Sequence, residues 1–122
     1  MRRARFASLV RRALAGLPEP IRQRLSNVDI VIERYPSRAD LREGGLGPRD
    51  ALYGLYQGVP LTERGSGYNL VLPDKITIFQ GPLEVDFASD DELVAEVRVT
   101  VLHEIAHHFG LSEEAMEELG LE

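Results

Sequence analysis

An α+β fold is predicted by three features of the sequence: an amphipathic helix at the start, short β-branched segments in the middle and a long capped helix toward the end. At 122 residues, the chain can bury roughly two thirds of the surface its unfolded form exposes. One domain over residues 1–122 is therefore expected, with no staple needed to hold it. A content of 43% hydrophobic and 28% charged residues lies in the ordinary globular range and argues against disorder. With no cysteine present, disulfides and thiolate zinc sites are excluded, and any metal is left to imidazole and carboxylate ligands.

Phe6, Leu9, Val10, Ala13, Leu14 and Leu17 recur at helical spacing and form the apolar stripe of the first helix, with arginines on the wet side. Pro18 and Pro20 break that pattern, and Val28 to Ile32 reads as a short strand. Residues 37–50, with Gly44, Gly45, Gly47 and Pro48 clustered, read as loop. Ala51 to Pro60 mixes aromatics with Gly54 and Gly58, which suits an irregular strand or hairpin arm. Asp74 to Gln80 reads as a strand between Pro73 and Pro82, and those prolines favour an edge position. Ser89-Asp90-Asp91-Glu92 has the form of a capping box that opens a helix running to Phe109 and stopping at Gly110. Val97 to Val101 alternates like a strand, but the cap, the length and the terminal glycine all favour helix. Ser112 to Leu119 reads as a short acidic helix with Met116 and Leu119 available to pack inward.

Residues 1–24 hold seven arginines against the single acid Glu19, for +6, and the remainder of the chain carries −12. Arginines at 2, 3, 5, 11 and 12 interrupt any signal-peptide core, and no stretch approaches the ~20 apolar residues of a membrane span. A cytoplasmic protein without membrane or nucleic-acid partners is expected, since an acidic body repels phosphate.

The chemistry is concentrated in His103-Glu104-Ile105-Ala106-His107. Helix residues four apart are displaced by about 40° around the axis and about 6 Å along it, so the two imidazoles can share one cation. Glu104, about 100° from His103, can face the same cleft as general base toward water activated by a zinc ion. A catalytic zinc takes three protein ligands and leaves one position open. Gly110 can turn the chain back, and Glu113 follows three residues later, the metzincin layout with a carboxylate in third place. Glu114 and Glu117 are alternative third ligands. His108 cannot join the same tetrahedron from a regular helix and is expected to pack or hydrogen-bond nearby. Tyr53, Tyr56 and Tyr68 are candidates to stabilise an oxyanion, and spacing selects none of them.

These residues resemble the short bacterial zincin-like metallopeptidases, or minimal zincins. The likeness is carried by His-Glu-Ile-Ala-His-His-Phe-Gly-Leu-Ser-Glu, with Gly-Val-Pro-Leu-Thr-Glu-Arg and Leu-Pro-Asp-Lys-Ile-Thr-Ile-Phe-Gln-Gly-Pro-Leu-Glu upstream, and spans most of residues 50–122. It implies a small mixed β-sheet packed against the N-terminal helix and the motif helix. It also implies His103 and His107 as metal ligands, Glu104 as the catalytic acid/base and Glu113 as the acidic third ligand. With nine residues after Glu113, neither a methionine turn beneath the metal nor a C-terminal subdomain is expected.

The expected function is a zinc-dependent metallopeptidase acting on short or unfolded peptides. The alternative is a non-catalytic zinc-binding or interaction protein in which the metal clips the helix end to the last turn. A weaker third reading, a metal-dependent ribonuclease, rests on the basic N-terminal helix alone. Strand 75–80 can serve the first reading if a peptide adds to its edge, or can simply turn Ile76 and Ile78 to the core.

Overall fold

A computed structural model describes residues 1–47, 52–58, 74–110 and 112–118. The order is α1 (Arg3–Ala15), α2 (Glu19–Arg24), a 3-10 turn (Leu25–Asn27), β1 (Val28–Glu33), α3 (Arg38–Glu43) and β2 (Gly54–Gln57). There follow β3 (Asp74–Phe79), α4 (Gln80–Asp86), α5 (Asp90–Phe109) and α6 (Glu113–Glu118). The architecture is α+β, a three-stranded mixed sheet with helices packed on it, as expected.

The stripe on α1 forms as the periodicity requires: Phe6, Leu9, Val10 and Ala13 are buried against Leu93, Val94, Val97 and Val101 of α5 and against Ile76 and Ile78 of β3. Its arginines face outward. Arg5 and Arg12 meet Asp90 and Asp91 in exposed ion pairs of 2.9 Å each, so part of the charge asymmetry is answered inside the molecule. Arg98 of α5 donates through Nε to the Ala13 carbonyl at 3.0 Å, satisfying an acceptor at the end of α1. Pro18 and Pro20 do end α1, and they also start α2: Pro20 occupies its first turn, where no helical N–H is required.

Two readings of the sequence are corrected. Residues 37–50 are not all loop, because Arg38–Glu43 is helical. Its start is a capping box in which Asp40 N–H donates to Ser37 Oγ at 3.0 Å and Ser37 N–H to Asp40 Oδ2 at 2.9 Å. The glycine cluster just beyond reads as loop, and a six-residue helix is too short to show a period.

The second correction concerns β3, which is the central strand: the order is β1-β3-β2, with β1 parallel to β3 and β2 antiparallel. The prolines that suggested an edge flank the strand, so no ladder N–H is lost, and Pro82 falls in the first turn of α4. Gln80 belongs to that helix. Ile76 to Phe79 are buried in succession, as both covered faces of a central strand require. Ile76 and Ile78 join the main core, while Phe79 packs with Leu41, Leu52 and Leu55 in a smaller cluster.

Candidate metal centre

Helix α5 runs as the sequence predicts. Ser89 Oγ accepts from Glu92 N–H at 3.1 Å, and Gly110 closes the helix in the left-handed region at φ 63° and ψ 34°. Val97, Thr100, Val101, Ile105 and Ala106 face inward while Val99 is exposed, so the strand-like stretch is helical, with its buried residues at helical spacing. His103 and His107 are exposed one turn apart, and Glu104 is half-buried.

Strand β2 lies beside this face. At Gly54 a Cβ would fall 2.5 Å from Thr100 Cγ2, so the missing side chain is what lets the strand approach the helix. Glu104 Oε1 accepts a hydrogen bond from the Tyr56 backbone N–H at 2.9 Å. Two cavities open along the seam between helix and strand. One, of about 280 Å³, is walled by Tyr53, Gly54, Glu96, His103 and Glu104. The other, of about 310 Å³, is walled by Glu43, Leu55, Tyr56, Glu104 and His107. Glu104 borders both. A larger cavity of about 570 Å³ lies against Arg38, Leu41, Arg42 and Leu46, and no described residue of α5 lines it.

His108, also exposed, lines the second cavity beside His107 and packs, as expected. Its ring stacks on Tyr56 with centroids 3.8 Å apart and an interplanar angle of 17°. Tyr56 hydroxyl donates to Asp74 Oδ2 at 2.8 Å, the same oxygen that lies 3.9 Å from His108 Nε2. Of the three candidate tyrosines, Tyr53 and Tyr56 line the cavities and Tyr68 lies outside the described residues. Tyr53 hydroxyl donates to Asp86, and that hydrogen bond, with burial and the nearby carboxylates Asp86 and Glu96, pushes its pKa up to about 12.

The proposed third ligand, Glu113, is the first residue of α6, and its side chain lies outside the described residues, as do those of Met116 and Leu119. Glu114 and Glu117, the alternatives, are exposed on that helix. Among the described residues no three ligand-type side chains gather around one point. By residue type, two exposed imidazoles a turn apart, followed by a left-handed glycine and a carboxylate-bearing helix, supply the nitrogen and oxygen donors that zinc takes as ligands. Sequence reasoning missed the Tyr56 amide and Glu43, because strand register and the position of α3 decide both. Among the described residues, no helix is long and apolar enough to cross a membrane.

A mixed sheet packed beside a helix that carries His-Glu-Ile-Ala-His defines a zincin-type arrangement. The family model for zincin-like metallopeptidases matches residues 25–121, and the chain belongs to that family. Among solved structures the chain is similar to a conserved hypothetical protein from Thermus thermophilus, with 23% identity and a TM-score of 0.55, over 88% of this chain and 92% of that one. At that identity the likeness concerns the fold. No curated protein matches.

Proposed function

We propose that this chain hydrolyses peptide bonds, with zinc held by His103, His107 and Glu113 and with Glu104 as the general base. The observation that carries the reading is the seat of Glu104, half-buried on the wall shared by two cavities and in contact with the sheet edge. Bound there, zinc would supply Lewis acidity toward a carbonyl oxygen and lower the pKa of water to about 7.

The remaining steps belong to the protein. The imidazoles of His103 and His107 would offer one nitrogen each, and both side chains are exposed. Glu104 accepts the proton of the attacking water and returns it to the leaving nitrogen. Among the described residues the edge strand beside the site is β2, not the strand at 75–80 that the prolines suggested, so an extended peptide aligns along Gly54 and Tyr56. The partner is a short or unfolded peptide, because a strand edge recognises extended backbone.

The test is Glu104→Gln. It should lower turnover by about 10²-fold or more while zinc content stays unchanged. Undiminished cleavage by that variant rejects Glu104 as the base.

A further inference from the structure

We infer that the backbone amide of Tyr56 is a positioning group for Glu104, holding its carboxylate in the free protein and giving it up when an extended peptide adds to β2. This rests on the peptidase reading for the identity of the peptide, and on the geometry alone for the latch.

Hydrogen-bond parity along β2 sets the case. Phe79 N–H donates to the Tyr53 carbonyl at 2.9 Å. The antiparallel register then places Leu55 opposite Thr77 and Gln57 opposite Lys75 in the pairs that exchange backbone bonds. Gly54 and Tyr56 fall in the other pairs, and their backbone groups point away from β3. Successive outward residues on a strand are about 6.8 Å apart, and a peptide adding here has to engage both.

Glu104 stands in its way. The Tyr56 N–H that a peptide carbonyl needs is already donated to Glu104 Oε1 at 2.9 Å. One N–H makes one strong, well-aligned bond, so carboxylate and peptide compete for it. The carboxylate is the stronger acceptor in isolation, but a peptide brings several backbone bonds at once.

Displacement needs no movement of α5. Glu104 lies on the wall between a cavity of about 280 Å³ toward His103 and one of about 310 Å³ toward His107, so rotation about its own side-chain bonds places the carboxylate beside either histidine. Substrate alignment and release of the base are then one event: the base is parked while no peptide lies along β2 and is freed as the scissile bond arrives. A parked base also keeps the outward Tyr56 amide occupied, which reduces pairing between chains.

The experiment is backbone amide exchange in the ¹⁵N-labelled, zinc-loaded full chain, read at Tyr56, with and without a capped hexapeptide whose central peptide bond is replaced by a neutral hydroxyethylene group. Wild type should protect Tyr56, and Glu104→Ala should exchange there about tenfold faster or more. Glu104→Gln, which keeps a weaker neutral acceptor, should fall between them. Adding the peptide to Glu104→Ala should restore protection, and that variant should bind the peptide about tenfold tighter than wild type.

Unprotected Tyr56 in wild type, or protection unchanged in both variants, overturns the latch. If Glu104→Ala does not fold, the Gln variant alone decides, since unaltered exchange in it contradicts a charge-assisted bond. Peptide cleavage alongside a freely exchanging Tyr56 retires the latch and leaves the peptidase reading. A latch that behaves as expected in a chain that cleaves nothing supports the latch and retires the peptidase reading.

Discussion

Tyr53 shows how a single side chain in the cleft is set by its neighbours. Its phenol donates to Asp86, and the pKa is pushed up from 10.0 to about 12, first by that bond and then by burial and nearby carboxylates. A raised pKa means that folding favours the protonated phenol. The stabilisation is therefore complete below the unfolded value of 10.0 and is lost as pH rises through about 12. A spectrophotometric titration should show one late-ionising tyrosine that is missing in Tyr53→Phe, and the stability gap between the two proteins should close at the alkaline end. Unchanged late ionisation in Tyr53→Phe would assign the shift elsewhere. At this scale the placement of His103, Glu104 and His107 along one helix was legible, because spacing alone fixes it without reference to anything else. It was not legible for the partner of Glu104, since the Tyr56 amide sits 48 residues away and its direction depends on the pairing of β2 with β3. His108 was foreseen as packed, yet its stack on Tyr56 could not be, for the same reason.

The elements were readable where several local signals agreed. Helix α5 has a serine at its start, a left-handed glycine at its end and buried residues at helical spacing, and together these overrode the β-branched run at Val97 to Val101. Where one signal stood alone, the reading failed. Glycines after Glu43 hid α3, and flanking prolines moved β3 to an edge it does not occupy. Helix α4 went unread because Gln80-Gly81-Pro82 carries turn residues, whereas Pro82 is tolerated in a first turn. Two substitutions probe elements directly. Ser37→Ala removes the capping-box acceptor of α3 and should cost about 1 kcal/mol in urea denaturation. Gly54→Ala puts a methyl group 2.5 Å from Thr100 Cγ2, and should destabilise by about 1–3 kcal/mol while pushing β2 off α5. A Gly54→Ala variant as stable as wild type would mean that the strand and helix are not held in that contact.

At the scale of the whole molecule, the fold brings a sheet edge and a helix face together and leaves a seam between them. The main core of α1, α5 and β3 fixes the helix, and the smaller cluster of Leu41, Leu52, Leu55 and Phe79 fixes the strand, so the seam is held from both sides. The α+β class followed from the order of helical and strand-like segments, whereas the topology β1-β3-β2 rests on pairings that cross long stretches of chain. Membership in the zincin-like metallopeptidases places the motif helix in a known architecture. What the seam does depends on whether it holds a metal. The most direct measurement is zinc content by mass spectrometry of the chain purified without chelators, beside His103→Ala, His107→Ala and Glu113→Ala. About one zinc per chain is expected in the wild type, with each substitution lowering it sharply and all three variants remaining folded. Wild type without zinc, or a full complement of zinc in His103→Ala and His107→Ala, would contradict a metal centre built on this helix.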